Sequence, residues 1–154
     1  MLILLDIDGV MVPAKGWKAP ELLQDGFPAF SNKAVEALKQ LLSDDTIVVL
    51  TTSHKSKFTI GEWKKIFRNR GLEINHVIPL PENSAHVSRK EEILNWFRKN
   101  EVNANFVIID DDTSLNDLPD VLKNNLVQTS PYIGLTEDHV GRISSILNDD
   151  GGKG

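Results

Sequence analysis

Apolar and polar positions along this chain follow two different periods. Four β-branched-rich runs, LILLD (2–6), TIVVLT (46–51), HVIPL (76–80) and NFVIID (105–110), each end in polar punctuation, and a weaker run, LVQT (126–129), follows them. Short continuous apolar runs of this kind predict buried parallel strands. Between them the spacing turns helical: Val35, Leu38 and Leu42, then Trp63, Ile66 and Phe67, then Ile93, Leu94, Trp96 and Phe97. Thr59-x-x-Glu62 and Ser88-x-x-Glu91 match the capping box, Gly71 stands where a left-handed cap ends a helix, and Val140, Ile143 and Leu147 share one face of a last helix over 136–147.

Strand and helix alternate throughout, which predicts an α/β fold: a Rossmann-like three-layer α/β/α sandwich on a central five-stranded parallel sheet. In such sheets ligands bind at the carboxyl ends of the strands. Those ends carry chemistry. The first strand ends in Asp6-Ile7-Asp8-Gly9, the second in Thr51-Thr52-Ser53 and the fourth in Asp110-Asp111-Asp112. Residues two apart on a strand point the same way, so Asp6 and Asp8 can face one site. Ser88-Arg89-Lys90 puts two cations in the first turn of a helix, where the dipole prefers anions; such a placement asks for a local anion.

Taken alone, DxDG reads as a strand running into an Asp-Gly turn. Together these residues suit attack on a phosphate monoester, whose oxygens repel a carboxylate unless cations neutralise them. Mg²⁺ favours oxygen ligands, and Asp6, Asp8 and the 110–112 cluster offer them. A threonine hydroxyl, from Thr51 or Thr52, can hold another phosphate oxygen.

Composition narrows the classes. The 154 residues suffice for one domain, expected over 1–148, with the DDGGKG tail (149–154) flexible. No apolar run approaches the roughly 18 residues of a membrane span, and MLILLDIDG lacks the small-residue cleavage site of a signal peptide, so a soluble, unprocessed chain is expected. The absence of cysteine excludes disulfides and thiolate sites and fits a reducing cytoplasm, the expected location. A net charge of −5 argues against a generally basic surface, although Lys55, Lys57, Lys64, Lys65, Arg68 and Arg70 form a local basic run. Within it, Lys64, Lys65, Arg68 and Arg70 read as the solvated face of a helix. His54 reads as a polar loop residue, with contact to phosphate or leaving group as the rival; His76 reads as structural, and His86 and His139 carry no signal.

The hydrophobic strand plus DxDG, the strand plus Thr/Ser, the basic residue opening a helix and the strand plus DD resemble, in order, the four motifs of haloacid dehalogenase (HAD)-like hydrolases. LLDIDGVMVP, VVLTTSHK, RKEEILNWF, VIIDDD and GLTEDHV are similar to the small HAD domains of "Swiss army knife" RNA-repair proteins. The resemblance implies a Mg²⁺-dependent phosphatase in which Asp6 attacks phosphorus to give an aspartyl-phosphate. Asp8 would protonate the leaving oxygen, later activate water, and lend its backbone carbonyl to the metal. Asp111, the better match, and Asp110 would complete the metal shell, with Asp112 a turn residue. Thr52 is preferred over Thr51 for phosphate, and Arg89 over Lys90, although the family usually has Lys there.

Residues 11–45 leave about twenty outside the predicted helix, enough for a flap at about 11–30 but too few for a cap domain. In this family a missing cap goes with large substrates, such as a nucleic-acid end. Lys15, Trp17 and Lys18 in the flap suit a phosphate and a stacked base, or else an anchored solvent loop. Two alternatives stand beside the phosphatase: a catalytically silent phosphate- or partner-binding module, and a receiver-like phosphoryl acceptor, whose motif order differs. Oligomeric state is not encoded in any unexplained apolar face.

Overall fold

In the computed structural model, which describes residues 1–14 and 21–148, the apolar runs become five parallel strands: β1 (Leu2–Leu5), β2 (Ile47–Leu50), β3 (His76–Pro79), β4 (Phe106–Asp110) and β5 (Leu126–Gln128). The helices are α1 (Asn32–Lys39), α2 (Ile60–Arg68), α3 (Arg89–Lys99), α4 (Asp120–Lys123) and α5 (Glu137–Leu147), with 3₁₀ turns at Lys55–Lys57 and Thr113–Asp117. The short α4 and the 3₁₀ turns carry too few residues to show a period in sequence.

The strand order is β3-β2-β1-β4-β5, all parallel. Side-chain alternation sorts the core into two halves. Ile3, Leu5, Val48, Leu50, Val107 and Ile109 face α1, α2 and α5, meeting Ala34, Leu38, Trp63, Phe67 and Ile143. Leu2, Leu4, Val49 and Ile108 face the opposite way, toward Ile93 of α3 and Leu122 of α4. This is the expected three-layer sandwich, and no separate cap domain is present among the described residues. The order of strands reverses between β1 and β4, running outward to β3 on one side and to β5 on the other, so the crevice at their carboxyl ends is where such a sheet receives a ligand.

Local signals hold with three adjustments. Thr59 and Glu62 close both halves of a capping box at α2, whereas at α3 the expected box is half formed, with Ser88 accepting from the Glu91 backbone. Gly71 takes φ 84° after α2. Helix α1 stops at Lys39, short of Leu42 in its predicted stripe: the Leu41 N–H tightens back to the Leu38 carbonyl, and a turn joining Ser43 and Thr46 follows; Leu42 still packs on the core. At α5 the box partner of Thr136 is His139, whose Nδ1 accepts from the Thr136 N–H at 3.0 Å, so this histidine has a structural task its sequence position did not announce.

The basic run from Lys55 to Arg70 is not one solvated face. Lys64, Lys65 and Arg68 do lie on the outer side of α2, but Arg70 is buried, with Nη1 2.6 Å from Asp25, and Lys55 is buried 2.8 Å from Glu92. Arg70 departs from the expected solvated face because a buried cation looks like a surface cation in sequence until a distant acid is brought to it. Arg70 also donates to the carbonyls of Phe27, Pro28 and Ile66. It thereby pins residues 21–30 to the domain, and Phe27 and Phe30 insert into the core. The second half of the predicted flap is thus packed down; Lys15, Trp17 and Lys18 lie outside the described residues, as does the 149–154 tail. His76 opens β3 with its side chain exposed. No helix among the described residues is long and apolar enough to cross a membrane.

Candidate active site

The site starts from register. Leu5 pairs with Leu50 on one side and Ile109 on the other, so Asp6, Thr51 and Asp110 leave the sheet side by side. The ladder runs one step further, with Asp6 N–H donating to Ile109 and Thr51 N–H to Leu5. All three side chains continue the face that carries Leu4, Val49 and Ile108, the face against which α3 packs. Arg89, the first residue of α3, therefore reaches them. Its Nη1 lies 2.5 Å from Asp110 Oδ2, 3.4 Å from Asp6 Oδ1 and 3.5 Å from Thr51 Oγ1. The anion demanded by a cation at a helix start is this carboxylate pair. Lys90 instead gives only its backbone N–H, to Ser114.

Asp6, Asp110 and Asp111 each offer a carboxylate oxygen within 4.8 Å of the others. Burial raises the Asp6 carboxyl well above the ordinary range, Asp110 adds to it, and the opposing pull of Arg89 does not cancel the rise. Burial and Asp110 likewise raise Asp111. Burial works against the charge of Arg89, yet Asp110 and Asp6 more than offset it and hold the guanidinium protonated. A hard donor set, short of positive charge, fits Mg²⁺. The Asp8 carboxylate stands outside this trio. Asp112 caps the following 3₁₀ turn, its Oδ1 accepting from Ser114 N–H, the turn role its position predicts.

Gly9 allows the approach. Its φ is 86°, and a β-carbon there would fall on the Asp111 carboxylate, so both conformation and space require glycine. Three N–H groups, from Val10, Met11 and Val12, converge on the Ile7 carbonyl to wind the turn after the strand. Thr129, past β5, ties it down by donating to the Gly9 carbonyl at 2.7 Å. Neither Thr129 nor Gly134, which leaves room for the Val10 carbonyl, was singled out by sequence reasoning; both matter only through chain segments far away in sequence.

The two threonines divide. Thr51 is buried and directed at Arg89, whereas Thr52 Oγ1 accepts from the His54 N–H at 3.2 Å in a local turn. His54 is not a free loop residue: its Nε2 lies 2.8 Å from Asp8 Oδ2, and its ring meets Phe27 edge to face. The physical signal for this contact was absent from the sequence, because 46 residues separate the partners. Glu92, near Arg89 Nε at 3.7 Å and paired with Lys55, was also not foreseen.

A family model described as the HAD domain in Swiss Army Knife RNA repair proteins matches residues 2–140. No curated protein matches the chain. The match spans every strand, both acidic clusters and Arg89, and it replaces the receiver-like alternative. The chain therefore belongs to the HAD domain family of Swiss Army Knife RNA repair proteins, within the broader superfamily of HAD-like hydrolases and phosphatases.

Proposed function

We propose that the protein is a Mg²⁺-dependent phosphatase that works through a phosphoryl group carried on Asp6. The observation that supports this most is the meeting of Asp6, Asp110 and Asp111 with Arg89 at the switch point of the sheet. Asp6 has the position of a nucleophile: it is nearly inaccessible, fixed by the strand ladder, and one carboxylate oxygen faces the guanidinium. Bound Mg²⁺, held by Asp6, Asp110 and Asp111 and by the Asp8 backbone carbonyl, would neutralise the incoming phosphate.

In the first step an Asp6 oxygen forms a bond to phosphorus as the ester P–O bond breaks, and protonated Asp8 gives its proton to the departing oxygen. In the second, Asp8 takes a proton from water, which attacks phosphorus and frees Asp6 and inorganic phosphate. Arg89 would turn from its carboxylates toward phosphate oxygens, as a bidentate donor. Thr51 is the nearer hydroxyl to Arg89, and Thr52 would serve through its backbone turn with His54.

The substrate is proposed to be the phosphorylated end of a nucleic acid. The absence of a separate cap among the described residues supports a large substrate, as do the exposed cations Lys65 and Arg68 and the RNA-repair setting of the proteins that name the family. Purified protein should hydrolyse p-nitrophenyl phosphate with Mg²⁺, stop in EDTA, and fall to background in Asp6→Asn; turnover by Asp6→Asn would remove Asp6 from the nucleophile's place. A panel of 3′- and 5′-phosphorylated oligonucleotides, phosphopeptides and sugar phosphates tests the substrate class. Turnover confined to sugar phosphates would refute a nucleic-acid end, and no turnover at all would leave the silent binding module.

A further inference from the structure

We infer that His54 is a positioning residue for Asp8, holding one carboxyl oxygen so that the acidic proton is presented from the other. The inference rests on the phosphatase reading above and goes beyond the motif residues. Three contacts carry it. His54 Nε2 lies 2.8 Å from Asp8 Oδ2. Lys57 Nζ lies 3.1 Å from His54 Nδ1. The buried Phe27 ring stands edge to face against the imidazole, at 5.5 Å between centroids and 89° between planes.

A lysine ammonium has donors and no acceptor, so the nitrogen facing Lys57 is the unprotonated one. Nε2 then carries the hydrogen and donates to Asp8 Oδ2. An oxygen already accepting that bond is the poorer seat for a proton of its own. Oδ1 is thereby left as the oxygen that delivers the proton in the acid step, and the side-chain torsions of Asp8 are held. Asp8 needs such a hold, because its side chain is 45% exposed and the strand ladder that fixes Asp6 has ended before it. Phe27 supplies the wall behind the ring, and it is itself kept in place by the Arg70 and Asp25 anchor of residues 21–30. The segment between β1 and α1 thus supports the acid of the site through the histidine that follows β2.

Acid help matters most when the departing oxygen is basic. An aliphatic phosphate ester must be protonated as it leaves, whereas p-nitrophenolate departs unaided. The test compares kcat/KM, which ends at ester cleavage, for p-nitrophenyl phosphate and an alkyl phosphate such as phenethyl phosphate. Wild type, His54→Ala and His54→Gln are assayed with saturating Mg²⁺. His54→Ala should lose about 10-fold or more on the alkyl ester, a part of the 10²–10⁴ that general acids contribute, and less than about threefold on the nitrophenyl ester. His54→Gln, which restores an N–H near the Nε2 position, should recover most of the alkyl activity.

Equal losses on both esters, or no loss on either, would overturn the positioning role while leaving the phosphatase standing. A wild type inactive on both esters would bring down the phosphatase reading and this inference with it.

Discussion

Arg89 and Asp110 are joined at 2.5 Å between the first residue of α3 and the last residue of β4, with Asp110 fully buried. This pair locks helix to sheet at the same point where the site collects its negative charge. The guanidinium serves Asp110, Asp6 and Thr51 from one nitrogen, so its loss would be felt by all three.

Arg89→Ala should destabilise the metal-free protein by about 3–5 kcal/mol, the usual cost of leaving a buried charge without its partner. Urea unfolding in EDTA measures this directly. Millimolar Mg²⁺ should return part of the loss, since a second cation among the carboxylates binds only the folded state. An unchanged midpoint in EDTA would show that the pair contributes nothing net.

Asp6→Asn should abolish turnover and yet raise stability. The folded-state pKa of Asp6 lies above its unfolded value, so the folded protein holds the extra proton. Stability from this group is complete below the unfolded pKa, declines as pH rises toward the folded one, and is lost above it. Asparagine has no charge to desolvate. At pH 7 in EDTA the variant should melt higher by at least about 2 °C, the shift for roughly 1 kcal/mol in a chain of this size. The gap should close below pH 4 and reverse with Mg²⁺, which wild type binds better. A variant that melts lower than wild type at pH 7 in EDTA contradicts this account.

Asp25→Ala should free the segment 21–30 by leaving Arg70, whose side chain is 2% exposed, without its carboxylate. The hydrogen bond from Arg70 holds the Asp25 carboxyl far below the ordinary range. Its contribution is therefore present above the unfolded carboxylate value and disappears only as pH falls through the much lower folded value. A loss of about 3 kcal/mol is expected at neutral pH. The pair replaced together, Asp25→Leu with Arg70→Met, should recover much of it. Equal midpoints for the single and double variants would argue against charge burial as the cause.

Gly9→Ala should damage the acid cluster specifically, because the added carbon meets the Asp111 carboxylate and the backbone sits at φ 86°. The strain alone is worth about 1–3 kcal/mol. Mg²⁺-dependent stabilisation, read as the rise in melting temperature with added metal, should shrink much more than in Gly141→Ala, where the new carbon meets open space on α5. Similar metal responses in the two variants would mean that Gly9 serves the turn alone.

The repeated apolar runs were enough to read the five strands, since a buried parallel strand needs a continuous apolar stretch and few other elements do. The principal helices were legible for a similar local reason: stripe and cap both lie within one segment. The acids at strand ends were visible as a group because the sheet has one carboxyl edge. Which of them gather closely was not visible: Asp110 joins Asp6 and Asp111, while the Asp8 carboxylate turns to His54.

The chain's own residue order thus determined the alternation of elements, the family's motif order and the candidates Asp6, Asp8, Asp110, Asp111 and Arg89, all of which rest on short-range pattern. Only the tertiary structure decided that Lys55 and Arg70 are interior cations, that Thr51 is the hydroxyl beside Arg89, and that His54 holds Asp8. Each of those depends on partners brought together across tens of residues. The free energy of burying a charge or orienting a carboxyl is set by what stands beside it in space, and strand register, more than neighbouring sequence, supplies that company.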